Sequence, residues 1–336
     1  MRKLSPDDPS ACHGDRVSGD EERDEVRLTN LDQPLFDGAE STKRDLVDYL
    51  DAVRDRILPE LRGRPLSVIR VLRGQQPFMQ KNLPKYTPPW MQRVTLWAES
   101  SRREVSYALC EDRRSLLWFA NQRAVEYHPT LVHAERWDRP TYLILDIDPP
   151  PGGPFTAAIS AAHLVAHALT EVGMAGAVKT SGAKGLHVFV PIRDTAIEDA
   201  AAATRAVAAR AERLDPVLTT TAFVREDREG KVFLDSTRAG GATVVAAYSP
   251  RARPGTPVSF PLAWDDLDEV TPADFNVRNA AALLGDSDPW AELMPAPQPV
   301  APVLIEEGHA IPVARVQAMH EGKRRARAQR AAAEDG

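Results

Sequence analysis

TYLILDIDPP, residues 141–150, is an apolar strand that ends in two acids and two prolines. Strand side chains alternate with period two, so Asp146 and Asp148 leave one face while Leu145 and Ile147 leave the other, toward a core. Two carboxylates side by side in a partly buried place repel, and each ionised group alone would cost several kcal/mol. A hard divalent cation resolves that conflict, because Mg²⁺ and Mn²⁺ prefer oxygen ligands. A bare D-x-D also serves at an ordinary strand-to-loop boundary, where it caps a helix or bonds loop amides. KVFLD, residues 231–235, favours the metal. It is a second alternating strand, with Lys231, Phe233 and Asp235 on one side and Val232 and Leu234 on the other, and it too ends in an acid. Three acids on strand ends suit a two-metal site for in-line phosphoryl transfer, with metals roughly 3.5–4 Å apart.

Outward from these strands, residues 1–25 are polar and predict a disordered acidic lead-in. From Ser41 the pattern turns helical: Ser41 or Thr42 can cap, and Leu46, Tyr49, Leu50, Val53, Ile57 and Leu61 recur at helical spacing until Gly63 and Pro65 end it. LSVIRVL, RVTLWAE and EVSYALC read as strands, and SLLWFANQRAVEY as a short helical stretch. After Pro150 an Ala-rich helix is expected from about Phe155 to Val172, and a second from about Glu198 to Leu214. AVKT, SGAKG and LHVFVPI read as strand, tight turn and strand. ATVVAAYS is expected to be a further strand, and the chain beyond Pro261 to pack around Trp264 and Trp290. Residues 296–336 read as a Pro-rich linker and a basic, helical tail. Strands alternate with helices but also pair as hairpins, so the fold class is α/β or α+β with a mixed sheet.

The chain has 336 residues, 27% charged and 43% hydrophobic, with a net charge of −6. That balance is ordinary for a globular protein and does not advertise nucleic-acid binding, although a groove can be basic locally. No apolar run approaches the roughly 20 residues of a membrane span. Cys12 and Cys110 form no C-x-x-C pair, which excludes a disulfide framework and a cysteine-rich zinc site. A cytoplasmic compartment is the expectation.

The turn Ser181-Gly182-Ala183-Lys184-Gly185 offers a hydroxyl, a cation and free amides, which together suit a triphosphate. It lacks Walker A spacing, and a strand follows it. His187 lies on the face opposite Leu186, Val188 and Val190. Gly-rich hairpins and lone histidines are also common without function. Arg251 and Arg253 in AYSPRARPG are phosphate-contact candidates or a solvated loop. His163 and His167 are four apart on a helix but lack the Glu of H-E-x-x-H, so they read as packing surface.

Taken together, these residues and their ordered neighbours resemble the polymerase domain of bacterial DNA ligase D, of the archaeo-eukaryotic primase superfamily. The resemblance covers about residues 26–275. It rests on LTNLD, STKRDLVDYL, RGRP, PFMQKNLP, WFANQRAVEYHP, LILDIDP, KTSGAKGLHVFVP, GKVFLD and YSPRARPGTPVSFPLAWDDL. It implies a catalytic domain over residues 26–295, in a stand-alone form. It also implies a mixed central sheet of primase-polymerase type flanked by helices, with an N-terminal α/β subdomain. Asp146, Asp148 and Asp235 would bind two Mn²⁺ or Mg²⁺ ions, one lowering the pKa of the primer 3′-hydroxyl and one neutralising the incoming triphosphate. Ser181, Lys184, His187, Arg228 and Arg251 would hold that nucleotide. Phe78 would stack on a base. Arg70 and Lys81 would lie near template or nucleotide phosphates, and His128 would line the DNA-facing cleft. Asn30 and Lys43 match positions that grip a 5′-phosphate at a recessed break end.

The departures from the family pattern spare the carboxylates. Gln33 stands where a Lys is usual, Ile69 where a basic residue is common, and Met79 where a second aromatic is expected. STRAGG replaces a longer loop after Asp235, with Arg238 where a Gln is frequent. One lost Lys–phosphate contact flattens the salt dependence of DNA binding by about one unit of slope.

The implied function is metal-dependent nucleotidyl transfer onto a DNA 3′ end, with ribonucleotides favoured, in gap filling or break-end processing as in non-homologous end joining. Its partners would be broken or gapped DNA, nucleoside triphosphates, Ku and a separate ligase, in the bacterial nucleoid. The alternative is a non-catalytic module that bridges DNA ends and recruits Ku or a ligase. A two-metal phosphohydrolase would use the same acids but needs neither Lys184 nor Phe78.

Overall fold

The computed structural model describes residues 20–98, 102–238 and 242–313. Residues 1–19 of the expected lead-in and 314–336 of the expected tail lie outside these residues, whereas 20–25, expected to be disordered, are ordered because Glu21–Arg23 pairs as a strand. The described chain opens with a hairpin of β1 (Glu21–Arg23) and β2 (Val26–Leu28). Helix α1 (Lys43–Ala52) begins at Thr42, whose hydroxyl accepts from the Asp45 amide at 3.2 Å while the Asp45 carboxylate accepts from the Thr42 amide at 2.7 Å. This reciprocal cap satisfies two otherwise unpaired donors, so Thr42 rather than Ser41 starts the helix. The single helix expected to Leu61 breaks at Val53 (φ −97°, ψ 9°), and α2 (Arg54–Leu61) follows.

An N-terminal sheet comprises β3 (Pro65–Arg70), β4 (Phe78–Gln80), β5 (Arg93–Ala98), β6 (Arg103–Leu109) and β7 (Ala124–Pro129). The helix α3 (Arg113–Asn121), capped by Asp112, precedes β7. The expected helical stretch therefore stops early: Arg123 takes φ +60°, and AVEYHP continues as a strand paired with β3. A short hairpin, β8 (Val132–His133) with β9 (Arg136–Pro140), leads to the second sheet.

That sheet holds β10 (Tyr142–Asp148), β11 (Ala177–Thr180), β12 (Leu186–Pro191), β13 (Thr219–Thr220), β14 (Val232–Asp235) and β15 (Pro261–Leu262), in the order β13-β14-β10-β12-β11-β15. All neighbours are antiparallel except β13 and β14, so the sheet is mixed. Helices α4 (Phe155–Thr170) and α5 (Ile197–Leu214) pack on it and on each other. Their buried alanines, among them Ala158, Ala161, Ala162, Ala203 and Ala206, allow close approach to the strands. Leu143, Ile144, Leu145 and Ile147 of β10 are fully buried. Each such side chain stabilises the fold by roughly 1.5–3 kcal/mol. This central position makes β10 a rigid mount for its two acids.

ATVVAAYS forms no strand. It runs beside β7 with scattered bonds, Ala246 N to the Tyr127 carbonyl at 2.9 Å and Val244 N to the Pro129 carbonyl at 3.3 Å, and bends at Tyr248 (φ +65°). Two short helices follow, α6 (Ala280–Leu284) and α7 (Pro289–Leu293). The Pro-rich stretch beyond residue 295 is docked, not free. The Gln298 side chain exchanges hydrogen bonds with the Ala175 backbone at 2.6 and 3.2 Å, and helix α8 (Pro302–Ala310) lies on α5. Gly308 permits that contact, since a Cβ there would fall 1.8 Å from the Ala202 carbonyl oxygen. Among the described residues no helix is long and apolar enough to cross a membrane.

Candidate active site

The carboxylates meet through sheet register. Asp146 on β10 pairs with Asp235 on β14 on one side and with His187 on β12 on the other. His187 in turn pairs with Lys179 on β11. Register partners share a face, so Asp235, Asp146, His187 and Lys179 form one polar row across four strands. All four are buried, Lys179 completely.

The row is wired by hydrogen bonds. Lys179 Nζ lies 2.9 Å from His187 Nδ1 and donates to Ser259 Oγ at 2.6 Å. His187 Nε2 lies 3.3 Å from Asp146 Oδ1. Burial, and then the Lys179 charge, push the His187 pKa down to about 4, so the ring is neutral near pH 7. A neutral imidazole has one donor and one acceptor. The ionised Asp146 carboxylate can only accept, so Nε2–H points at Asp146 and Nδ1 accepts from Lys179. Burial raises the Asp146 carboxyl, but His187 and Arg238 outweigh it and hold Asp146 well below the usual carboxylate range.

Asp148 is the exposed acid at the end of β10, paired with Phe233. Its carboxyl is pushed up, first by loss of water around the site and then by the charges of Asp146 and Asp235. Asp235 Oδ1 accepts from the Thr237 amide at 2.8 Å and the Thr237 hydroxyl at 2.6 Å. Arg238 Nη2 donates to Asp146 Oδ2 at 3.0 Å. Arg228 stacks its guanidinium 3.6 Å above the Phe233 ring and donates to the Ala222 and Phe223 carbonyls.

The donor chemistry suits hard divalent ions, because Asp146 and Asp148 on β10 and Asp235 on β14 offer oxygen donors. Among the described residues, however, no three His, Cys, Asp or Glu side chains converge as ligands. Arg238 stands between two of them instead.

The Ser181–Gly185 turn sits against the same strand end. A Cβ on Gly185 would lie 1.9 Å from the Ile147 carbonyl oxygen, so only glycine lets the turn touch β10 between the two acids. Ser181 Oγ accepts from the amides of Ala183 and Gly185, both at 3.2 Å, which rigidifies the turn. Lys184 is exposed and lines a cleft of about 550 Å³ with Ser41, Arg253, Asn276 and Arg278. Arg251 braces the turn by donating to the Ser181 carbonyl, and its Nε lies 3.0 Å from Glu126 Oε2. Glu126 also accepts from the Ala252 amide at 2.9 Å and lies 2.8 Å from His128 Nε2.

Of the expected DNA contacts, His128 reaches this centre through Glu126 and Arg251. Asn30 (φ +55°) is exposed on a groove of about 780 Å³ that Gln33, Arg73 and Arg123 also line. Lys43 is buried and donates to the Thr29 carbonyl and Asn121, both at 2.6 Å. Arg70 is likewise buried, donating to Gln80, Tyr86 and the Gln122 carbonyl, with Phe78 6.0 Å away. Lys81 is exposed, whereas His128 is half-buried beside Glu126.

Lys179, Glu126, Ser259 and Thr237 were not among the residues singled out from the sequence. A signal existed for two of them. Lys179 is the one charge in an apolar strand, and Glu126 shares the strand parity of His128.

Known proteins resemble this chain. A family model described as the LigD primase-polymerase domain matches residues 42–290. The bifunctional non-homologous end joining protein LigD of Bacillus subtilis is 32% identical over 75% of this chain and 41% of the relative. The multifunctional non-homologous end joining DNA repair protein LigD of Mycobacterium tuberculosis is 30% identical over 82% of this chain and 38% of the relative. The chain thus spans about two fifths of these relatives. The solved polymerase domain of M. tuberculosis ligase D, in complex with DNA, superposes with a TM-score of 0.73 at 31% identity, covering 82% of this chain and 98% of that one. By sequence and by fold, the chain belongs to the LigD primase-polymerase domain family.

Proposed function

We propose that this chain is a metal-dependent nucleotidyltransferase. It would add nucleotides, with ribonucleotides favoured, to a DNA 3′ end in gap filling or break-end processing during non-homologous end joining. The observation that carries this reading is the register of Asp146 with Asp235, beside Asp148, at the strand end the Ser181–Gly185 turn touches. Asp146, Asp148 and Asp235 would hold two Mn²⁺ or Mg²⁺ ions. Bound there, such ions lower the pKa of an attacking hydroxyl and neutralise a triphosphate. The protein's own residues do the rest. Lys179 and His187 fix the orientation of Asp146, and Lys184 and Arg253 give the neighbouring cleft the positive charge a triphosphate requires. Phe78, half-exposed beside exposed Lys81, offers a stacking face and a cation to a base and its phosphate. The partners would be gapped or broken DNA, nucleoside triphosphates, Ku and a DNA ligase.

The test is primer extension on a gapped duplex in Mn²⁺, with ribo- and deoxynucleotides, with and without a 5′-phosphate across the gap. Wild type should extend, ribonucleotides faster, and Asp146→Ala should not. Extension that survives in Asp146→Ala would show the site to be misassigned. Tight end binding with no incorporation by wild type would favour a bridging module.

A further inference from the structure

The proposed metal site already contains a cation of the protein's own. Arg238 Nη2 reaches Asp146 Oδ2 at 3.0 Å, and Arg238 Nε lies 3.4 Å from Asp235 Oδ2. One guanidinium therefore bridges the two carboxylates that face each other across β10 and β14. The neighbouring cations are held elsewhere: Arg228 over Phe233, and Lys179 on His187 and Ser259.

The seat of Arg238 is incomplete. Among the described residues its Nε is buried without a hydrogen-bond partner, and its side chain is 39% exposed. It stands in the turn after β14, outside the sheet, so it can swing out without breaking a strand pair. A guanidinium bridging Asp146 and Asp235 and a divalent ion ligated by the same oxygens exclude one another by volume and by charge.

We propose that Arg238 is a tethered counter-ion that closes the carboxylate pair in the metal-free protein and gives it up when a divalent cation enters. This deepens the metal-dependent reading above and rests on it. The ion pair screens the repulsion between Asp146 and Asp235 while the metal is absent. It also opposes metal entry, so metal affinity is set in part by a residue that is not a ligand. An arginine at this position then tunes how much free metal the protein requires.

The test is calorimetric titration of Mn²⁺ into the full chain, without nucleotide or DNA. Wild type, Arg238→Gln, Arg238→Lys and Asp146→Asn are compared, together with melting temperatures before and after saturating Mn²⁺. Arg238→Gln should bind Mn²⁺ about tenfold more tightly, the scale of one partly exposed ion pair. It should melt lower without metal and gain more on saturation. Arg238→Lys should stay near wild type, and Arg238→Met serves in place of the Gln variant should that one not fold. If Arg238→Gln binds Mn²⁺ no more tightly while Asp146→Asn abolishes binding, the metal site stands and the counter-ion role is refuted. If neither wild type nor Arg238→Gln binds Mn²⁺, the metal reading itself fails and takes the proposal with it.

Discussion

Asp146 and Asp235 are register partners on adjacent antiparallel strands, each more than nine-tenths buried, with a hydrogen-bonded histidine on the far side of Asp146. Like charges placed directly opposite in a sheet destabilise it. Arg238, which bridges the two, offsets that repulsion, and the Asp148 carboxyl beside them is pushed up, first by burial and then by the charges of Asp146 and Asp235. The site is thus held in tension by its own acids, and the following outcomes test that view.

Asp148→Asn should raise the metal-free melting temperature. A raised carboxyl pKa means that the charged form is disfavoured in the fold at neutral pH, so neutralising it relieves repulsion. The same variant should lose more than about a hundredfold in nucleotide incorporation, since removing even an outer-sphere partner of a metal costs 10–100-fold. Thermal melts without metal, beside extension assays with Mn²⁺, show whether stability and activity move in opposite directions.

Lys179→Met should raise the His187 pKa from about 4 toward the ordinary value. Burial remains, so the rise is partial, but the neighbouring amine and its hydrogen bond to Nδ1 are gone. An NMR titration of the His187 ring protons reads this directly. An unchanged His187 pKa would mean that Lys179 does not set the protonation state.

Gly185→Ala should destabilise the fold by about 2–3 kcal/mol, as overpacking against a fixed backbone does. The new methyl would meet the Ile147 carbonyl at 1.9 Å. Because Ile147 lies between Asp146 and Asp148, incorporation should fall further than stability alone explains. Denaturant melts and extension at a temperature where the variant stays folded separate the two effects.

Glu126→Gln should cost stability at neutral pH and cost nothing in strong acid. Burial raises the Glu126 carboxyl, but His128 and Arg251 outweigh it and bring the pKa to about 2. A carboxylate with a folded pKa below its unfolded value stabilises above the unfolded pKa, here about 4.5, and loses that contribution as pH falls toward about 2. Burial keeps His128 neutral near pH 7, so Arg251 supplies the lasting charge and the contribution is about 1–3 kcal/mol. Melting temperatures of wild type and Glu126→Gln from pH 7 to pH 3 should differ most above pH 4.5 and converge below it.

Local rules made much of this protein readable. Period two in residues 141–150 places Asp146 and Asp148 on one face, and β10 does so. The Gly-rich turn joins two paired strands, and Thr42 opens the first helix. Where local pattern misled, the deciding force was non-local. ATVVAAYS has the composition of a strand, yet β7 meets it with only scattered hydrogen bonds. AVEYHP continues a helical pattern but is claimed by pairing with β3. Pro302–Ala310 is helical as its pattern reads, but its docking, with Leu304 buried on α5, came from outside that pattern.

By itself, the sequence determined which residue types stand at which strand ends, because side-chain alternation and turn chemistry act over a few residues. Only the tertiary structure decided that Asp235 faces Asp146, that Lys179 and His187 complete their row, that Lys43 and Arg70 turn inward, and that Arg238 closes over the acids. The reason is that register and burial belong to the packed sheet. They depend on which strands lie side by side, and no stretch of one strand carries that information.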